Sequence, residues 1–477
     1  MVHNQKNLPI FEALNKHVKN NPESFHVPGH KNGSVFPEVG LGAFQDILRY
    51  DLTEITGMDD LHHPESAIQK AQELTSQLYK VEESYFLVGG STVGNLAMIF
   101  SVCGSGDQVI VQRNCHKSIM NALELVGAQP IFVAPIFERK TNRYSKIDVN
   151  QIKEALEQYP ESKAVVLTYP DYFGHTYPLK KMIELAHGRN IPVLVDEAHG
   201  AHFILGEPFP PSATSLGADV VVQSAHKMLP AMTMASFLHV NSSRISNQKV
   251  ASYLRMLQSS SPSYPLMASL DIARYFLAHY HEDQLRETLM SVQKLRSQLD
   301  QVTRWDILPE QAEDDPLKIT IQVRNYRDID QFVRIMERSY IFPELSTTNQ
   351  ILLIHGLKPH YHDQNIHKLI MALNNELKSP AGHDKIESAV IDFSSITKLP
   401  FSYEKLNNMR KVWVPWEEAI GEYAAEVVTP YPPGIPFIVK GEQILKHHVH
   451  EIKCLVGQNR HIHYEGKDLE KGIEILK

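Results

Sequence analysis

The sequence predicts an α/β protein whose strands form a mostly parallel sheet buried on both faces. Three observations carry this. Seven short runs, at 84–88, 107–112, 130–135, 163–170, 191–200, 218–227 and 235–240, are apolar almost throughout. A strand wetted on one face would alternate instead. Between the first five runs lie stretches with apolar residues at helical spacing, at 91–103, 116–127, 150–160 and 179–190. Finally, Asp196, His199, His226 and Lys227 stand at the carboxyl-terminal ends of two of these runs. In open sheets of this kind ligands sit beyond the carboxyl ends of the strands.

The elements follow in order. Residues 8–20 have the spacing of a short amphipathic helix. Pro28, Gly29 and Gly33 punctuate 25–34 into a loop. Residues 67–80 are helical in spacing and lead into the first strand, SYFLV. Strands and helices then alternate as far as ASFLHV at 235–240. Beyond SSSPSYPLMASLD at 259–271 the pattern changes to one long helical stretch over about 265–302. A weaker α/β region follows to 385, with strands near 317–323 and 350–356, and SPAGHDK at 379–385 reads as a linker. In the last segment the prolines of 425–442 exclude a helix or a central strand.

A chain of 477 residues is too long for one small core. The expected division is 1–30, an N-terminal helix and loop; 31–264, the large domain; 265–385, a small α/β domain with a long connecting helix; and 386–477, a C-terminal domain. With 43% apolar and 21% charged residues the composition is that of a globular protein. A net charge of −8 gives no basic footprint for nucleic acid and disfavours anionic membranes. Three cysteines without a CxxC pair read as reduced thiols, and the first residues lack a signal-peptide pattern, so a cytoplasmic protein is expected. No apolar run approaches the roughly 18–20 residues of a membrane span. The 25 histidines are scattered, with no HExxH or CxxC…H spacing, so no metal is expected.

Four points after predicted strands can carry chemistry. GGST at 89–92 joins a strand to a helix start, where glycines admit a ligand and free N–H groups and two hydroxyls suit a phosphate. The same residues also make a tight turn with a helix cap. His116 begins a helix, where a flat imidazole can stack on a ring or serve as a cap. Asp196 ends a very apolar strand, and its carboxylate needs a positive partner, either a protonated ring nitrogen or a structural cation. Lys227, in SAHK, is either a surface lysine or an amine made nucleophilic by its surroundings.

The order and spacing of these points resemble the aspartate aminotransferase fold (fold type I) of pyridoxal-phosphate enzymes. GGSTVGN, RNCHKS, DEAHGAHF, SAHKMLPAMTMASFLH, SSSPSYPLMASLD and TPYPPGIPFIVKGE resemble the bacterial ornithine/lysine/arginine decarboxylases, as do VPGHKNG and TEITGMDDLHHPESAI. The resemblance runs from about 8 to 450 and is to the short form, without a receiver-like N-terminal domain. It makes 31–264 the pyridoxal-phosphate domain with a seven-stranded sheet, and 386–477 the decarboxylase-family C-terminal domain. It implies that Lys227 binds the cofactor aldehyde covalently, that Asp196 pairs with the ring nitrogen, and that His116 stacks on the ring with Ala198 on the opposite face. Ser91, Thr92, Ser224 and His226 would hold the phosphate. Where the family often has a further hydroxyl this chain has Val93, so one phosphate contact fewer, or a backbone one, is expected. His199 lies nearby without an assigned role.

The implied reaction is decarboxylation of a basic L-amino acid, arginine to agmatine first, with lysine to cadaverine and ornithine to putrescine as alternatives in polyamine synthesis. Other fold type I activities and a non-catalytic binding relative remain open at this stage. Asp59, Asp60 and Glu426 are candidates for the substrate's distal cation, or else cap helices and pair on the surface. A homodimer or dimer of dimers is implied, with Ser260 reaching the partner's cofactor phosphate.

Overall fold

The computed structural model describes residues 5–311, 313–325, 329–347, 349–376, 393–431, 436–457 and 461–477. The expected linker at 379–385 and the residues 432–435 of the PYPPG segment lie outside the described residues. The chain opens with α1 (Pro9–Lys19), α2 (Glu38–Leu48), α3 (Ala67–Tyr79), β1 (Glu83–Leu87) and α4 (Gly90–Val102). Next come β2 (Gln108–Gln112), α5 (Lys117–Val126), β3 (Gln129–Val133), a hairpin of β4 (Phe137–Glu138) and β5 (Arg143–Tyr144), and α6 (Val149–Gln158). Then follow β6 (Val165–Thr168), α7 (Leu179–His187), β7 (Val193–Asp196), α8 (Ala213–Leu216), β8 (Val220–Gln223), α9 (Ala225–Met228) and β9 (Ser236–Val240). Helices α10 (Asn247–Leu257), α11 (Tyr264–Ala278) and α12 (Glu282–Leu299) complete this part.

The chain divides into two compact units. The first comprises Met1–Val102, Ala164–Pro170 and Pro178–His281; the second comprises Cys103–Lys163, Asp171–Tyr177 and Glu282–Lys477. In the first, the strand order is β1-β9-β8-β7-β6. Strands β6, β7 and β8 run parallel, and β9 is antiparallel to both neighbours. Every residue of β7, β8 and β9 is buried, which is why their sequences do not alternate. Asp196 pairs with Val222, so the carboxyl ends of β7 and β8 finish side by side.

In the second unit β2 and β3 are parallel, and Ile396–Lys398 adds an antiparallel strand to β3. Trp305–Ile307, Lys318–Val323, Gln350–Ile354 and Leu345–Ser346 form an antiparallel sheet. Lys411–Pro415 and Tyr423–Ala424 flank Gly472–Leu476 in another, over a core that includes Trp416, Phe437 and Ile473. Within the proline-rich segment Thr429–Tyr431 makes a short two-stranded pairing with His461–His463.

All seven expected strands form, with one of them, β9, antiparallel. The helical stretch expected over about 265–302 is two helices, α11 and α12. His279 ends the first: its N–H bonds the Tyr275 and Phe276 carbonyls, and its ring stacks on Tyr275 at 4.1 Å. Among the described residues no helix is long and apolar enough to cross a membrane.

Candidate active site

In the first unit, several of the candidate side chains gather where β7 and β8 end and where α4 begins. Strand β1 turns into α4 through Gly90, whose φ of 75° suits a residue without Cβ. Its N–H donates to the Met234 carbonyl at 2.9 Å. Met234 also has a positive φ, 78°, a conformation that costs a side-chain-bearing residue about 1 kcal/mol or more. Ser91 and Thr92 occupy the first turn of α4, where backbone N–H groups lack intrahelical acceptors. Ser224, just after β8, donates to Ser91 Oγ at 2.8 Å. This joins two hydroxyls and a helix start into one cluster suited to a phosphate. The Val93 side chain is buried, so that position offers only its backbone.

Asp196 is 2% exposed. Its Oδ2 accepts from Asn95 Nδ2 at 2.9 Å and its Oδ1 from the Ala198 N–H at 3.1 Å. Asn95 reaches it from the second turn of α4, one turn beyond Ser91. Both of these donors are neutral, and a buried carboxylate is most stable with a positive partner beside it. Lys227 lies in α9, the single turn that follows β8. Its Nζ is 3.1 Å from Nε2 of His199, a residue 5% exposed. His226 faces the Ala235 carbonyl with Nδ1 at 3.1 Å. Burial lowers its pKa, the hydrogen bond to the Ala235 carbonyl works against this, and the Lys227 charge adds to the lowering.

A buried polar chain underlies these strand ends. Burial holds His239 neutral, with its pKa lowered to about 3. Ser84 Oγ is 2.8 Å from His239 Nδ1, and His239 Nε2 is 3.2 Å from Gln223 Oε1. Gln223 Nε2 then donates to Glu197 Oε2 at 2.6 Å, which fixes the direction of the whole series: Ser84 donates to His239 and His239 to Gln223. Glu197 also accepts from Ser212 Oγ at 2.8 Å and the Ala213 N–H at 2.6 Å. Burial pushes its carboxyl up to about 8 against the pull of these donors.

In the second unit His116 caps α5, its Nδ1 accepting from the Ser118 N–H at 3.2 Å and lying 2.8 Å from Ser118 Oγ. Three residues earlier, buried Arg113 meets both oxygens of Glu442 at 2.9 and 2.6 Å and donates to the Phe437 carbonyl at 2.8 Å. Burial opposes the charge on Glu442, but Arg113 holds its carboxyl below the ordinary range.

The three candidate substrate carboxylates have different surroundings. Asp59 accepts the backbone N–H groups of Asp60, Glu65, Ser66, Ile68 and Gln69, which places it as the cap of α3. Burial raises its pKa less than these amides lower it. Asp60, in the first unit and half-buried, accepts the His62 N–H on Oδ1 at 2.8 Å. Glu426, in the second unit, pairs with Lys411. Ser260 is exposed beside Ser259, whose carbonyl is 2.7 Å from His62 Nε2. Sequence reasoning assigned no role to Asn95 or Met234 and none to His199. Asn95 stands in the quoted GGSTVGN, four residues after Ser91 and therefore on the same helix face, which is the signal that could have found it.

Residues 8–313 match the family described as "Orn/Lys/Arg decarboxylase, major domain", and residues 393–461 match its C-terminal domain. The chain belongs to the Orn/Lys/Arg decarboxylase family. It is a pyridoxal-phosphate-dependent decarboxylase of fold type I. It is 47% identical over 471 residues to "Uncharacterized protein YaaO" of Bacillus subtilis, covering 98% of each chain. It is 35% identical over 452 residues to an arginine decarboxylase of Halalkalibacterium halodurans, covering 92% of this chain and 91% of that one. In fold it is similar to the Francisella novicida lysine decarboxylase LdcF, with a TM-score of 0.79 at 19% identity, over 99% of this chain and 81% of that one.

Proposed function

We propose that the protein decarboxylates L-arginine to agmatine and CO₂, with Lys227 and Asp196 as its central residues. The observation that carries the site is the pairing of β7 with β8. It brings a buried carboxylate solvated by neutral donors and a lysine in a one-turn helix to the ends of adjacent strands. These residues fit pyridoxal phosphate. Asp196 would pair with the protonated ring nitrogen, and Ser91, Thr92, Ser224 and the α4 start would offer donors to the phosphate. With Nδ1 on the Ala235 carbonyl, His226 would donate to the phosphate from Nε2 as an imidazolium, a form that a bound dianion would favour, and Ala198 would offer a small apolar surface to the ring. The stacking role of His116 rests on the resemblance of RNCHKS.

Pyridoxal phosphate supplies an aldehyde that captures the substrate amine and a conjugated ring that accepts the electrons left when CO₂ departs. The chain does the rest. Lys227 Nζ would hold the cofactor through its aldehyde carbon and give way to the substrate amine. Asp196, itself oriented by Asn95 and Ala198, would keep the ring nitrogen protonated. The hydroxyls of Ser91 and Ser224 would fix the anionic end and so help to hold the orientation of the bond to be broken.

Arginine is preferred over lysine and ornithine on the 35% identity with an arginine decarboxylase over nine-tenths of both chains. For the distal guanidinium we favour Asp60 among the three carboxylates, since Asp59 is spent on α3 and Glu426 is already neutralised by Lys411. The active form is proposed to be a homodimer, with Ser260 turned to the partner's cofactor phosphate. The deciding experiment incubates purified protein with arginine, lysine or ornithine and identifies the amine. Agmatine with equal CO₂ and no keto acid is expected. Cadaverine or putrescine as main product would overturn the arginine assignment. Borohydride reduction followed by peptide mapping should mark Lys227.

A further inference from the structure

Two histidines flank Lys227, and they differ in what they offer its amine. His226 commits Nδ1 to the Ala235 carbonyl. His199 turns Nε2 directly toward Nζ, at 3.1 Å. The turn that carries His199 is rigid. Ala198 N–H is tied to Asp196 Oδ1, and Gly200 N–H to the Glu197 carbonyl at 3.0 Å. A Cβ at Gly200 would meet Glu197 Cγ at 2.6 Å and Phe203 Cδ2 at 2.9 Å, so the backbone there is packed without slack. A lysine amine attacks a carbonyl only when neutral, and at neutral pH an ordinary lysine is an ammonium. Something must therefore take its proton before it can bond an aldehyde. A general base has to lie within hydrogen-bond reach of that proton, and His199 does.

We propose that His199 is the proton partner of Lys227. Its Nε2 removes a proton from the Nζ ammonium before that amine bonds the cofactor aldehyde, and returns it when the substrate amine releases Lys227. In the forward step one N–H bond of the ammonium breaks, the electron pair stays on Nζ, and a new N–H bond forms on Nε2. No co-reactant is needed: as the neutral amine condenses with the aldehyde, its two remaining protons and the aldehyde oxygen would leave as water. This inference rests on the reading of Lys227 as the cofactor-binding lysine, and it gives a catalytic role to the residue that sequence left unassigned.

The test measures covalent capture rather than turnover. Full-length protein stripped of cofactor is mixed with pyridoxal phosphate at pH 7, and the absorbance change of the bound aldehyde is followed in time. Wild type, His199→Gln, His199→Phe and His199→Ala are compared, the last with and without added imidazole. Final occupancy and the borohydride-fixed lysine are determined for each. The expectation is a slowing of about tenfold or more in all three variants, with final occupancy retained at Lys227. Imidazole should accelerate His199→Ala and leave wild type unchanged. Capture within twofold of wild type in the variants would overturn the proposal. So would slowing that imidazole does not relieve, because that is the mark of a structural role. If borohydride fixes the cofactor on another lysine, the reading of the site itself fails, an outcome separate from either of these.

Discussion

At the scale of single residues, identical side chains next to each other have been given opposite tasks. Asp59 and Asp60 are both acidic and adjacent, yet the first serves five backbone amides and the second one. Asp59→Ala should therefore lower stability by about 1–2 kcal/mol, the usual cost of a lost helix cap, with little change in KM. Asp60→Asn should leave the denaturation midpoint in place and raise the KM for arginine about tenfold, since a charged hydrogen bond to a guanidinium is lost. An unchanged KM removes Asp60 from the substrate site. Glu197 gives a pH-dependent prediction. Its folded pKa, about 8, lies above the ordinary 4.5, so the folded chain keeps a proton that the unfolded chain releases. Its contribution is complete below pH 4.5 and declines as pH rises toward 8. Glu197→Gln should flatten the stability profile across that window when urea midpoints are measured from pH 5 to 8. The absolute level should drop, because the new NH₂ group confronts the donating Gln223 amide, so the slope is the readout.

At the scale of elements, the site depends on how closely α4 lies on the sheet. A Cβ at Gly94 would approach Leu87 Cδ1 to 2.7 Å and Val222 Cγ1 to 2.8 Å. Gly94→Ala should lift α4 from β1 and β8 at a cost of about 1–3 kcal/mol. Because α4 carries Ser91, Thr92 and Asn95, cofactor affinity should fall together with the melting temperature. A melting curve and a titration with pyridoxal phosphate check both, and a loss of stability with unchanged affinity would separate α4 packing from cofactor binding. The same elements explain what could be read in advance. Strands β7 and β8 are buried on both faces, so their apolar runs stand out in sequence, and the residues that end them were found with them. The break between α11 and α12 falls in His279–Tyr280–His281, with neither glycine nor proline to mark it. The pairing of Ile396–Lys398 with β3 joins residues more than 260 positions apart, and no local pattern encodes such a partner. Met234 takes a left-handed conformation that its residue type disfavours, so only the folded chain reveals it.

At the scale of the whole molecule, one helix argues for a second copy. Helix α2 has eleven residues and buries only Leu48. A helix that short is marginal in water by itself and normally persists by packing an apolar face. Around it Val39 is 99% exposed, and Phe25, Val35 and Phe44 also face solvent. Large apolar side chains so exposed on an isolated chain cost solubility and favour association. A homodimer that covers this arm would account for both its apolar composition and its helical form. Sedimentation velocity at micromolar concentration should therefore show a dimer of the 54.2 kDa chain. The double variant Val39→Glu, Phe44→Glu should shift it toward monomer, because burying two carboxylates in an apolar contact costs several kcal/mol of association energy. Its α4 turn and strand ends are untouched, so the monomer should keep its fold by circular dichroism. If Ser260 acts across the interface, the monomer should also bind pyridoxal phosphate more weakly, by about the tenfold expected for one lost hydrogen bond to a charged group. A wild-type protein that is monomeric and fully active at assay concentration would remove the partner from the site and leave the exposure of α2 without this explanation.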